Sequence, residues 1–202
     1  LADAPNGVAA IAATRPDIIV SAAAYTSVDK AEGEPDLAQL INGMAPGIVA
    51  QCAKRLGVPI IHVSTDYVFD GFKRDPYVES DRTNPLGVYG HTKLAGERAV
   101  AQATSNHAIL RTAWVYSPFG SNFLKTMLRL AENHPLLRVV GDQVGNPTSA
   151  LDMAEAILRV ADNLLAKPDD QAMRGIFHAV GTGEVSWAKF ATEILAASKA
   201  LG

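Results

Sequence analysis

Val58-Pro59-Ile60-Ile61-His62-Val63-Ser64-Thr65-Asp66 is a nearly unbroken apolar run that ends in two hydroxyls and a carboxylate. A short apolar run without alternation marks a strand buried on both faces, the kind found in parallel sheets. The next regular segment, over Leu86–Ala103, has helical character and carries Val88-Tyr89-Gly90-His91-Thr92-Lys93 near its start. Strand, polar strand end, loop and helix together make a β-α unit, and the remainder of the chain repeats the pattern.

Working outward, Val8–Ala13 reads as the end of a helix and Asp17–Ser21 as a second continuously apolar strand. A helix is predicted over Asp36–Leu56, with Pro35 near its start, Gly57 closing it and Pro46 bending it. His107–Thr112 is a strand, and Asn122–Asn133 an amphipathic helix with Phe123, Met127 and Leu130 on one face. Leu136–Val140 reads as a strand, Leu151–Leu165 as a helix, Gly175–Val180 as a strand and Ser186–Ser198 as a final helix. Repeated β-α units with short connections predict an α/β chain: a Rossmann-like, doubly wound parallel sheet with right-handed crossovers. No internal repeat or low-complexity segment interrupts it.

The bulk numbers narrow the function. With 202 residues, 48% of them hydrophobic, the chain can bury a substantial core. Eighteen basic against 21 acidic residues, with no basic stripe, argue against a nucleic-acid partner. The apolar stretches fall far short of a membrane-spanning helix, so no membrane is expected. The single cysteine, Cys52, lies on an apolar helical face and reads as a core residue, consistent with a reducing cytoplasm. The five histidines show no metal-ligand spacing, and neither a Gly-x-Ser-x-Gly elbow nor a Cys/His nucleophile pair is present, so no metal is expected. Leu1-Ala2-Asp3 opens the chain with neither methionine nor a signal pattern, and a helix precedes the first strand; the sequence reads as a fragment.

In doubly wound sheets ligands gather at the carboxyl ends of strands. Three polar or small-residue clusters fall there: Ala22-Ala23-Ala24-Tyr25-Thr26, Ser64-Thr65-Asp66-Tyr67 and Arg111-Thr112-Ala113-Trp114. They are expected to converge on one site. Tyr89 and Lys93 are four residues apart, so on a helix phenol and ammonium share a face. A free tyrosine has a pKa of about 10, and a neighbouring ammonium is expected to lower it toward the range useful for proton transfer. Thr65 could hold a substrate oxygen against the phenol, which would make a device for moving a proton on or off a carbonyl or alcohol. An ordinary tyrosine and a solvated lysine on an exposed helix are the competing reading.

The run Ala22–Ala24 would let a flat ligand lie against backbone, or merely ends a strand beneath a helix. Trp114 could stack on a sugar or base, or fill core between sheet and helix. Asp66 could cap a helix, solvate a loop or bind a substrate hydroxyl. A glycine-rich phosphate turn after the first strand is missing, since Gly141-Asp142-Gln143-Val144-Gly145 and Gly181-Thr182-Gly183 stand in the wrong setting. Weak dinucleotide affinity is therefore expected of this chain on its own.

Three longer quotations carry a family resemblance: Arg15-Pro16-Asp17-Ile18-Ile19-Val20-Ser21-Ala22-Ala23-Ala24-Tyr25-Thr26-Ser27-Val28-Asp29-Lys30-Ala31-Glu32, Ser64-Thr65-Asp66-Tyr67-Val68-Phe69-Asp70-Gly71, and Pro85-Leu86-Gly87-Val88-Tyr89-Gly90-His91-Thr92-Lys93-Leu94-Ala95-Gly96-Glu97. With Arg111-Thr112-Ala113-Trp114-Val115-Tyr116, they resemble the extended short-chain dehydrogenase/reductases, and within them the dTDP-4-dehydrorhamnose reductase family.

The resemblance implies NADPH or NADH delivering hydride to C4 of a dTDP-4-keto-6-deoxy sugar, turning dTDP-4-dehydro-L-rhamnose into dTDP-L-rhamnose. It implies catalytic roles for Thr65, Tyr89 and Lys93. Cofactor contacts would come from Ala23, Ala24, Tyr25, Thr26, Tyr89 and Lys93, and substrate contacts from Thr65, Asp66, Tyr67 and Trp114. Related dehydratases carry a glutamate where Tyr67 stands, which argues for simple reduction. Residues 1–115 and about 147–170 would form the dinucleotide-binding domain, truncated at its start. About 116–146 and 171–202 would form part of a substrate domain, with a homodimer among the assemblies allowed. The regulatory beta subunit of methionine adenosyltransferase is similar in the same motifs and supplies the alternative, a non-catalytic binding subunit.

Overall fold

The computed structural model describes residues 4–201; Leu1–Asp3, where the sequence opens without methionine, and Gly202 lie outside the described residues. Helix α1 (Ala4–Thr14) precedes β1 (Ile19–Ser21), followed by the short helices α2 (Val28–Ala31) and α3 (Pro35–Ala38). Next come α4 (Ala45–Leu56), β2 (Ile60–Thr65), α5 (Val88–Ala103), β3 (His107–Thr112), β4 (Val115–Tyr116) and α6 (Phe123–Asn133). The chain continues through β5 (Val144–Gly145), β6 (Thr148–Ser149), α7 (Ala150–Ala166), β7 (Gly175–His178), β8 (Val185–Ser186) and α8 (Trp187–Leu201).

The main sheet has the order β1-β2-β3-β7 and is parallel, the Rossmann-like arrangement expected. Ser21 pairs with His62 across β1 and β2, and Arg111 with His178 across β3 and β7. The apolar runs are buried on both faces: Ile60, Ile61 and Ile109 are wholly inaccessible. They form one core with Ile19, Val49, Ala50, Ala53 and Val100, the last four supplied by α4 and α5 for the most part.

Two compact units partition the chain, one of Leu1–Arg111 with Ile157–His178, the other of Thr112–Ala156 with Ala179–Gly202. Because β7 pairs with β3, residues 175–178 belong to the first unit, whereas the sequence reading put them in the second. Within the second unit β4 pairs with β6, β5 with β8, and α6 and α8 enclose a core of Met127, Ala191 and Ile194.

Two local expectations change. The helix predicted over 36–56 is interrupted by a π-helical turn, Gln39–Met44. Pro46 has no N–H to give to the carbonyl four residues back, that of Asn42, and the wider turn absorbs the mismatch. Gly57 ends α4 in the left-handed conformation, φ 74°, as a C-terminal glycine should. Leu136–Val140 is not a strand. Leu137 and Val139 pack on the Met127 core without a ladder partner, while Leu136 stays 75% exposed. An apolar run alone does not supply a neighbouring strand edge.

Candidate active site

The carboxyl end of β2 and the first two turns of α5 form the centre of the site. Thr65 ends β2 in extended conformation, and its hydroxyl accepts from the Tyr67 N–H at 3.2 Å, capping the tight turn Asp66–Val68. The same hydroxyl donates to Asp66 Oδ1 at 3.0 Å. Helix α5 has no side-chain cap from its own flank. Glu32, far back in sequence, accepts from Val88 N–H at 2.8 Å and places a carboxylate at the positive end of the helix. At Gly90 any side chain would collide with the Tyr67 carbonyl and with Pro85, so glycine there lets the loop close on the helix and brings Tyr67 to Tyr89. Their rings meet edge to face at 5.4 Å and 82°.

Lys93 lies one turn after Tyr89 and is only 3% exposed. Its ammonium donates to the Val63 carbonyl at 2.7 Å. Burial lowers the lysine to about 8, partly offset by the Glu97 carboxylate. Burial also pushes the Tyr89 phenol up to about 12, with Asp66 and Tyr67 adding to the rise and the Thr65 hydrogen bond opposing it. The expected depression of Tyr89 by Lys93 is therefore corrected: the ammonium is spent on a carbonyl, and desolvation of the phenolate wins. Tyr89 is held as a neutral phenol at neutral pH, the form that can give a proton rather than take one. Burial likewise raises Asp66, despite its bonds from Thr65 and the local backbone.

The segment after β1 is fixed by a residue that sequence reasoning did not single out. Asn42, in the π-helical turn and 1% exposed, accepts from Tyr25 N–H at 2.8 Å and donates to Tyr25 O at 3.0 Å. It also reaches Thr92 Oγ1 at 3.3 Å, and Thr92 donates to Tyr89 O at 2.9 Å. One amide thus imitates a strand partner for Tyr25 and ties it to the helix that bears Tyr89. Ala22, Ala23 and Thr26 are exposed, so the alanines form an open shelf rather than the underside of a helix. The Tyr25 hydroxyl donates to Glu34 at 2.8 Å. The Asn-x-x-x-Pro spacing of Asn42 and Pro46 was the available signal for Asn42.

Glu97 was also missed. It accepts from Ser64 Oγ at 2.6 Å, Arg111 Nε at 2.9 Å and Arg111 Nη2 at 2.7 Å. Thus Thr65, Asp66, Tyr67, Tyr89 and Lys93 are brought together within the first unit, beside the Asn42-held shelf. Trp114 belongs to the second unit, where it stacks on Trp187 at 3.5 Å and 10°. Its φ of 47° is unusual for a bulky residue, and Gly145 makes room for its indole. Among the described residues no cluster of His, Cys, Asp and Glu could hold a metal ion.

A parallel α/β sheet with a threonine at one strand end beside a Tyr-x-x-x-Lys helix defines a Rossmann-like fold. The sequence matches the family described as "RmlD substrate binding domain" over residues 1–201, and the chain belongs to that family. It is 57% identical over 176 residues to a dTDP-4-dehydrorhamnose reductase of Sinorhizobium fredii, covering 87% of this chain and 59% of the relative. The Escherichia coli K12 protein of the same name is 46% identical over 199 residues, 98% of this chain and 66% of the relative. The crystal structure of the Bacillus anthracis dTDP-4-dehydrorhamnose reductase in complex with NADP superposes with a TM-score of 0.91 at 35% identity, covering 98% of this chain and 68% of that one. The chain thus spans 59% and 66% of the lengths of these two curated relatives.

Proposed function

We propose that the chain carries the proton-transfer site of an NAD(P)H-dependent reductase that converts the C4 ketone of dTDP-4-dehydro-L-rhamnose to the alcohol, giving dTDP-L-rhamnose. The observation that carries this reading is the meeting of Thr65, Tyr89 and Lys93 at the end of β2, with Tyr89 held protonated. The names of the relatives support the substrate. The exposed alanine shelf and the Lys93 ammonium suit the nicotinamide half of a dinucleotide, which when bound supplies the hydride.

In this reading Tyr89 gives its proton to the ketone oxygen as negative charge develops there. Thr65 holds that oxygen by its hydroxyl, and Lys93 stabilises the phenolate left behind while bonding the nicotinamide ribose. Ala23, Ala24, Tyr25 and Thr26 line the cofactor, their backbone set by Asn42. Asp66 and Tyr67 contact the sugar nucleotide. The first unit serves the cofactor and the second the substrate. No helix among the described residues is long and apolar enough to cross a membrane. A reducing compartment, the cytoplasm, suits the lone buried thiol of Cys52.

The test is Tyr89→Phe in the full-length protein, followed by oxidation of NADPH with the keto sugar. Removing only the proton donor should leave substrate binding intact and cut turnover about 10²–10⁴-fold. Near-normal turnover in the Phe variant would overturn the assignment. Absence of turnover in the unaltered protein would favour a non-catalytic binding role.

A further inference from the structure

Val63 and Ser64 are consecutive on β2, and each is tied to the same helix. The Val63 carbonyl takes the Lys93 ammonium and the Ser64 hydroxyl donates to Glu97, while the neighbouring Thr65 hydroxyl lowers the Tyr89 phenol against the effect of burial. Tyr89, Lys93 and Glu97 follow one another at four-residue steps, so they form a single stripe along α5. Two members of that stripe have roles in the proposed reaction and the third has none. Glu97 is 2% exposed and its carboxylate is held by three donors, two of them on Arg111, whose side chain is 4% exposed. A buried ion pair of this kind is weak evidence of stabilisation, since a well-packed apolar pair often does as well. Its position beside Lys93 calls for another explanation.

We infer that Glu97 is a positioning residue for proton transfer: its carboxylate, locked by Arg111 and Ser64, keeps the buried Lys93 in its ammonium form. This rests on the reductase reading above. Among the described residues Glu97 is the carboxylate whose charge acts on Lys93. His62, from β2, is a neutral imidazole, held down to about 3 by burial and by the Lys93 charge. Tyr89, on the same helix, is a neutral phenol. Arg111, from β3, brings a positive charge that is matched by Glu97, and His178 of β7 lies beside Arg111 with Glu79 bonded to its N–H. Asp66 acts on Tyr89 rather than on Lys93. Without the Glu97 charge, desolvation is unopposed, and the lysine loses its proton nearer to neutrality.

Glu97→Gln keeps the shape and the acceptor for Ser64 but removes the charge. In the full-length protein the Lys93 titration, followed by NMR of carbon-13-labelled lysine, should move down by about one unit or more. The basic limb of the kcat/KM profile should move with it, while turnover on the acidic side stays within about threefold of the parent. Glu97→Asp, which keeps the charge, should restore the parent profile in large part. An unmoved Lys93 titration, with turnover lost equally at every pH, would mean that Glu97 is only structural and would overturn the inference. Should Glu97→Gln fail to fold, the double variant Glu97→Gln with Arg111→Gln is compared with Arg111→Gln alone, and its Lys93 titration must lie below that of the single variant. If the unaltered protein reduces no keto sugar, the reductase reading falls, while the Lys93 titration still decides whether Glu97 sets its charge.

Discussion

The stripe along α5 and the aromatic layer of the second unit hold their side chains by different physics. Around β2 and α5 several buried polar groups are answered by specific partners, Lys93 by Val63, Glu97 by Ser64 and Arg111, Asn42 by Tyr25, while His62 Nε2 and Arg111 Nη1 are buried without one among the described residues. In the second unit Trp114, Trp187, Phe123 and Phe190 are half-buried and held by ring contacts, from 3.5 Å for the two tryptophans to 6.4 Å for Trp187 and Phe190. Hydrogen bonds to buried charges are directional and fail abruptly when one partner leaves. Ring packing degrades by degrees. The first region is built to fix atoms to a fraction of an ångström, the second to offer a shaped apolar face.

That contrast can be broken most directly at Glu97. Glu97→Ala leaves the Arg111 guanidinium buried without its partner, and denaturant unfolding should show a loss of about 3–5 kcal/mol. A loss no larger than that of an aromatic substitution in the second unit would erase the distinction.

A smaller effect appears through pH at His62. Its pKa in the fold is about 3, against an ordinary 6.5, because burial and the Lys93 charge disfavour the imidazolium. Below about pH 6.5 the unfolded chain takes up a proton that the folded chain refuses, so stability present above that pH is lost as pH falls toward 3. By about pH 4.5 the loss from this group should reach about 2–3 kcal/mol. His62→Gln should flatten that part of a Tm-against-pH curve; an unchanged slope would remove His62 as the cause.

The smallest effect belongs to the aromatic layer. Trp187→Leu keeps apolar bulk but loses the stack on Trp114, and should cost about 1 kcal/mol. A loss of several kcal/mol would show that the layer is as exacting as the polar stripe.

Much of this was legible in the sequence because the strongest signals are local. The largely apolar runs at 58–63 and 107–112 read as buried strands, and β2 and β3 lie there. Tyr89 and Lys93 are visible as a pair because helical spacing puts them on one face. Glu97 was not legible: its partner Arg111 sits on another element, and nothing local distinguishes it from a solvated glutamate. The upward shift of Tyr89 escaped for the same reason, since burial is a property of the packed fold. The misread strand at Leu136–Val140 shows the converse, a local pattern that found no neighbour to pair with.

The anchoring of two consecutive β2 residues to one helix makes the site a check on its own assembly. A strand that slips by one position turns every side chain to the opposite face. Such a slip would turn the Ser64 hydroxyl away from Glu97 and shift the Val63 carbonyl away from Lys93. No partly competent arrangement lies between, because an ammonium and a carboxylate would then be stranded without partners in the interior. Misthreaded copies are thus disfavoured by the buried charges of the same stripe that carries the proposed proton donor.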